Sequence, residues 1–363
     1  MAIDFTTWDF SWVYWPGFEI MTIIYFIAFG VINICYAIKS RDHPEKRDNP
    51  KFFINEVAIG ILFLILAGLY PFLWDNIVPN DYVKAQMYFH LWDTLTVQLI
   101  GWPIYILIAT WNDKRKNRKI SYDDWKQQQL EKYHSSDKGD FMTNLKRKLQ
   151  HILPGGVVIG FYYLALANKD SLANINWTVM TGAMYFTAAV GLTFAFIMNI
   201  FDLVRLLKWD WLGKFARSWA NGALLPDELN TTTSASPMVL AFVPFFLFPQ
   251  KQFLFAICLI SGISDAMASI IGKKFGKRKS GKNEKTVAGY IAGAVSTYLL
   301  VLLTHVILPF TEINLVTVHI MAAVTAFSFF AVDYFARYLS DNILNSVVCG
   351  GAMALVYFLA VAI

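Results

Sequence analysis

The chain has 363 residues, 56% hydrophobic and only 16% charged, with a net charge of +5. That balance excludes an ordinary water-soluble domain, whose charged fraction is nearer about a quarter. A basic surplus with no soluble domain to carry it gives no case for nucleic-acid binding and suits a juxtamembrane surface that meets anionic lipid or nucleotide phosphate.

Crossing about 30 Å of hydrocarbon as a helix takes about 20 apolar residues, and such runs recur along the chain. Spans are expected at Gly17–Ile38, Phe52–Leu73, Met87–Thr110, Leu149–Ala167, Trp177–Ile200, Pro237–Phe248, Phe253–Ile271, Val287–Leu308, Leu315–Val332 and Ile343–Ile363, about ten in all. The fold class is therefore all-α, a polytopic transmembrane helix bundle. Pro237, Pro244 and Pro249 bracket a short run, which suits a kinked or re-entrant helix. Cys35, Cys258 and Cys349 sit inside apolar runs without CxxC spacing and read as packing residues.

Three stretches follow from this pattern. Residues 1–110 hold the first helices, with no role assigned; residues 111–148 form a polar segment; residues 149–363 hold the remaining spans. In the middle stretch Tyr122, Trp125, Leu130 and Tyr133 recur at roughly helical spacing, as in an interfacial helix or an aromatic-anchored linker. His90, Asp93 and Gln98 in the third span read as packing or hydrogen-bonding residues.

Lysine and arginine fall in alternate connections: Lys39 to Lys51, Lys114 to Lys148, Arg205 to Arg217, Lys273 to Lys285, and Arg337. The opposite connections hold Lys84, Lys169 and Lys251. Positive residues stay on the cytoplasmic side, so both termini are expected outside and the basic connections inside.

The chemistry-bearing residues gather on that inside face. Asp265 lies within a span, where an ionised carboxylate costs at least a few kcal/mol unless it pairs, binds a cation or acts in catalysis. Just beyond it, Gly272 and Gly276 allow a close approach of backbone to an anion, and Lys273, Lys274 and Lys277 supply positive charge; a positive-inside signal would carry the same lysines. Asp333, Arg337 and Asp341 step by four residues, so on one continuous helix they would share a face as a salt-bridge ladder. Alternatively, Asp341 and Asn342 offer the hard oxygen ligands that Mg²⁺ prefers, meeting Asp265 across helices. Arg147, Lys148 and His151 precede the fourth span, and Glu228, Thr233 and Ser234 precede the sixth.

In this order the stretches resemble the polyprenol kinase family, which includes dolichol kinase, phytol kinase and the CTP-dependent diacylglycerol kinase of fungi. Arg147-Lys148-Leu149-Gln150-His151 is similar to the family's Arg-Lys-x-x-His, Glu228 to Ser234 to its Glu-containing Thr-Ser loop, and Ser264 to Gly276 to its Gly-Asp-Ala-x-Ala-Ser-x-x-Gly-x-x-Phe-Gly signature. Lys285-Thr286-Val287-Ala288-Gly289 stands where Lys-Ser-x-x-Gly is usual, and Asp341-Asn342 where an Asp-Asn pair opens the last span. Ser264, Ala288, Asn345 and Ser346 depart from the pattern, Ala288 toward the phytol kinase form. The resemblance runs from about Lys146 to the C-terminus and implies that 149–363 is the catalytic domain. It implies transfer of the γ-phosphoryl of a nucleoside triphosphate, CTP with ATP as the alternative, to a membrane lipid alcohol such as dolichol. Asp265, Asp341 and Asn342 would organise Mg²⁺ or take the hydroxyl proton, with Gly272, Lys273, Lys274, Gly276, Lys277, Lys285 and Thr286 around the triphosphate. A phosphatidate cytidylyltransferase is the nearest rival, and a transporter using the intramembrane acids is a third reading.

Overall fold

Inside hydrocarbon a backbone amide has no partner but its own chain, so long apolar runs become helices. The computed structural model describes residues 17–43, 46–47, 49–79, 81–116, 120–134, 152–224, 228–278, 285–336 and 338–362, and every regular element among them is helical. In chain order these are α1 Gly17–Lys39, α2 Pro50–Ile77, α3 Tyr82–Arg115, α4 Tyr122–His134, α5 Leu153–Ala167 and α6 Val179–Leu207. There follow α7 Lys214–Ala223, α8 Ala235–Leu240, α9 Gln252–Phe275, α10 Val287–Ile307, α11 Leu315–Phe335 and α12 Asp341–Ala362. Side-chain caps fix several starts: Asn49 accepts from Lys51 N, Thr178 from Thr181 N, Thr286 from Gly289 N and Asn314 from Thr317 N. Each such cap contributes about 1 kcal/mol.

Eight of these helices are long and apolar enough to cross a membrane, so the chain is an all-α multi-pass membrane protein. The other two expected spans are shorter. α5 has 15 residues, and the Pro237–Phe248 run is α8 followed by a 3-10 turn, Val243–Leu247. Pro237 and Pro244 withhold amide hydrogens there and stop a long helix from forming. The broken segment still runs the length of α2. Thr231 hydrogen-bonds Glu56 near one end of α2 at 2.9 Å, and Lys251 reaches Asn76 at its other end at 3.3 Å.

α9 is the central helix. Phe253 through Gly262 are all buried, whereas α1, α3, α10 and α11 show large apolar side chains such as Ile24, Leu107, Leu299 and Phe327 on the outside. In a soluble protein those residues would seek a core; on a membrane helix they meet lipid. One apolar cluster runs from Phe26 to Tyr357, so the N-terminal helices share a core with the rest. α4 is docked instead of lying as a loose linker: Trp125 is buried against Trp209, and the Tyr122 hydroxyl donates to Leu229 O.

Candidate functional site

The site begins with a defect in the central helix. Ile260–Ser264 is a π-helical turn whose extra residue re-aims everything after it, and Asp265 follows directly, buried at 4% exposure. Small polar residues hold the turn in place: Thr297 Oγ1 donates to Ser264 Oγ at 2.9 Å, and Ser261 and Ser346 share a hydrogen bond at 3.0 Å.

Lys285 is the focus. Its ammonium donates to Asp333 Oδ1 at 2.8 Å and Asp341 Oδ2 at 3.1 Å, with Asp265 also within electrostatic reach. Burial disfavours the charge on Lys285, but the carboxylates of Asp341, Asp333 and Asp265 outweigh it, and its pKa stands above the usual lysine value. Three helices, α9, α11 and α12, thus send acids to one point, and the connection just before α10 supplies their counter-ion. Asn342 is buried beside it, its carbonyl accepting from Ser346 Oγ at 2.9 Å.

This arrangement corrects one expectation. Asp333 and Asp341 do not share a helix face, because α11 ends at Phe335, Ala336 turns extended and α12 starts afresh at Asp341. They meet through Lys285 instead. Lys285, expected around the triphosphate, is engaged with these carboxylates. The glycines, too, face protein: a side chain at Gly272 would strike Thr286 Oγ1 at 2.8 Å, one at Gly276 would overlap Thr286, and one at Gly289 would strike Ala268 O at 2.7 Å. Their small size lets α9 and α10 touch backbone to backbone, with Thr286 Oγ1 donating to Gly272 O at 3.1 Å. Lys273, Lys274 and Lys277 remain exposed at the end of α9, Lys274 over the Phe275 ring. Arg147, Lys148, His151 and Arg337 lie outside the described residues.

A second polar cluster fixes the Glu228–Ser234 loop. Arg205, fully buried, donates to Asp202 Oδ1 at 2.9 Å, Leu229 O at 2.7 Å and Thr231 O at 2.5 Å. Asp202 Oδ2 in turn accepts from Thr233 N at 2.7 Å and Thr233 Oγ1 at 2.9 Å. Beside them Lys46 meets both oxygens of Glu56 at 2.7 Å, and Glu56 accepts from Thr231. Burial draws the Lys46 pKa down, with Glu56 opposing. The sequence shows Lys46 and Arg205 only as positive-inside charges and leaves Glu56 and Asp202 without a role. Glu56 and Asp202 inside apolar runs carried the signal, since a charge there demands a partner.

Next to this loop a cleft of about 270 Å³ lies between α5, α6, α8 and α9. Its walls are apolar, among them Val157, Leu192, Phe194, Met238 and Phe246, while Glu228, Thr233 and Ser234 supply polar lining. Ser234 Oγ lies 3.4 Å from Glu228 Oε1, so the polar residues are gathered together. A bond of 2.7 Å from Ser340 N to Asn55 Oδ1 ties the start of α12 to α2, one residue from Asp341 on one side and from Glu56 on the other. The two clusters are therefore neighbours at one end of the bundle.

Among the described residues no group of three or more His, Cys, Asp or Glu side chains is disposed as a metal cage. Mg²⁺ at a nucleotide site asks less of a protein, usually one or two carboxylates plus phosphate oxygens. Asp265 and Asp341 fit that donor chemistry. No protein-family model, no curated protein and no solved structure matches this chain.

Proposed function

We propose that this chain is a membrane-embedded lipid-alcohol kinase that moves the γ-phosphoryl of a nucleoside triphosphate, CTP by family resemblance, onto the hydroxyl of a polyisoprenoid alcohol at the cytoplasmic face. The observation that carries the reading is the gathering of Asp265, Asp333, Asp341 and Lys285 at the bundle end that also holds the Glu228–Ser234 loop. Phosphoryl transfer needs position, charge and an in-line hydroxyl more than covalent chemistry from the protein. An apolar cleft with a polar lining is what an amphiphilic acceptor requires. Its chain lies along Val157, Phe194 and Phe246, and its hydroxyl extends past Glu228, Thr233 and Ser234 toward the neighbouring cluster of Asp265, Asp341 and Lys285.

In the reaction the lipid oxygen bonds to the γ-phosphorus, the bond from that phosphorus to its bridging oxygen breaks, and the nucleoside diphosphate leaves. The hydroxyl proton goes to Asp265 or, where Asp265 is a Mg²⁺ ligand, to solvent. Lys273, Lys274 and Lys277 attract the triphosphate from solution, and Lys285 orients the acids. Asp265 and Asp341 would hold Mg²⁺, which supplies charge neutralisation to the phosphates. Alternating basic connections support the cytoplasmic orientation and outside termini.

The test is purified protein with labelled CTP or ATP, Mg²⁺ and a panel of dolichol, shorter polyprenols, phytol, diacylglycerol and phosphatidate, with lipid and nucleotide products resolved together. A phosphorylated alcohol with CDP or ADP is expected. A CDP-lipid with pyrophosphate would replace the kinase by a cytidylyltransferase, and full transfer by folded Asp265→Asn would remove Asp265 from the chemistry.

A further inference from the structure

The N-terminal helices hold another intramembrane acid, one that the transfer chemistry does not use. Asp93 is fully buried in the π-helical His90–Gly101 stretch of α3. A π-helix brings residues about five apart onto one face, and Gln98 Nε2 accordingly donates to Asp93 Oδ1 at 2.9 Å. From α6 the Thr193 hydroxyl faces the carboxylate, and from α1 the Tyr25 hydroxyl lies within its electrostatic reach. Asp93 Oδ2, Gln98 Oε1 and Tyr25 Oη are buried atoms with no close hydrogen-bond partner among the described residues, and the Thr193 hydroxyl, turned to Asp93, keeps its own oxygen lone pairs open.

No described lysine or arginine pairs with Asp93. His90 on α3 points Nδ1 at Thr22 Oγ1 at 2.8 Å, and on α2 the Tyr70 hydroxyl lies within the electrostatic reach of both Glu19 and Asp93. An ionised carboxylate so placed in hydrocarbon costs several kcal/mol unless it takes up a proton or a cation comes to it. The open oxygens are a carboxylate, an amide carbonyl and two hydroxyls. Hard oxygen ligands suit alkali and alkaline-earth ions, whereas transition metals seek imidazole or thiolate, and a single acid among neutral oxygens balances the charge of a monovalent cation.

We propose that Asp93, Gln98, Thr193 and Tyr25 form a binding site for one Na⁺ ion within the membrane-spanning bundle. The full chain in lipid nanodiscs is treated with dicyclohexylcarbodiimide, which modifies protonated carboxyls, and Asp93 labelling is read by peptide mass spectrometry. Na⁺ at fixed pH is expected to suppress Asp93 labelling at least several-fold while choline does not, and labelling of Asp202 is expected to ignore both. Na⁺ is also expected to raise the melting temperature of the wild type but not of Asp93→Asn, with Gln98→Ala as the second variant should Asp93→Asn fail to fold. Labelling that follows pH alone and ignores Na⁺ would identify a plain protonated carboxyl and overturn the site. Absence of both Asp93 labelling and any Na⁺-dependent shift would overturn it equally.

Discussion

Arg205 gives the sharpest test of how the acceptor loop is held. Changing Arg205→Met removes bonds to Asp202, Leu229 O and Thr231 O at 2.9, 2.7 and 2.5 Å, and strips the cation from a carboxylate that is 1% exposed. Breaking a buried ion pair from one side costs about 3–5 kcal/mol, and the abandoned Thr231 carbonyl adds about 1 kcal/mol, while Leu229 O keeps its bond from the Tyr122 hydroxyl. Asp202 keeps its two bonds from Thr233, which softens the loss, so a total on the order of 4 kcal/mol is expected. At about 2–4 °C per kcal/mol this is a fall in melting temperature of roughly 10 °C. A thiol-reactive dye reads it, because Cys258 and Cys349 are buried and become reactive on unfolding. Asp202→Asn with Arg205→Met should be less damaging than the sum of the two single changes, by about 1–3 kcal/mol of coupling. A single Arg205→Met variant melting within about 2 °C of wild type, or strictly additive losses, would refute the reasoning.

Lys285→Met should abolish phosphoryl transfer and destabilise the chain, since it leaves Asp333, fully buried, without the ammonium at 2.8 Å; Lys285→Arg should recover stability in a melting assay but little activity. Replacing Lys273, Lys274 and Lys277 together by alanine should raise the KM for nucleotide roughly tenfold or more in steady-state kinetics and leave the melting temperature unchanged, because all three are exposed. Gly191→Leu should fill the apolar cleft, because a side chain begun there first meets Val239 at an ordinary 3.5 Å, and so weaken transfer to long alcohols while sparing nucleotide binding. Burial pulls the Lys251 pKa down to about 8, below the roughly 10.4 of an unfolded lysine, so the charged form is penalised in the folded state. That penalty is present below pH of about 8 and fades toward about 10.4, so between about pH 7 and 10 the wild type should gain stability relative to Lys251→Met; a constant difference between the two melting curves would refute it.

Much of the fold was legible because the bilayer imposes one rule. A run of apolar residues long enough to cross must be helical whatever its neighbours do, so eight of the expected spans emerged as long helices near their predicted bounds. Prolines at positions 237 and 244 marked the broken segment equally well. Intramembrane acids announced themselves through their cost, Asp265 among them.

Partnership is what the sequence by itself left open. Asp333 and Asp341 looked like successive rungs of one helix, and only the break after Phe335 and the position of Lys285 made them ligands of a common ammonium. The glycines around Gly272 looked fit for an anion, yet the approach of α10 filled the space beside them. Arg205 read as a loop cation, though it reaches across 24 and 26 residues to carbonyls of the acceptor loop. Composition and periodicity along one chain determine which segments leave water, since that depends on local transfer free energy alone. Which charge meets which is decided by helix packing, because contacts between residues far apart in sequence exist only once the bundle has closed.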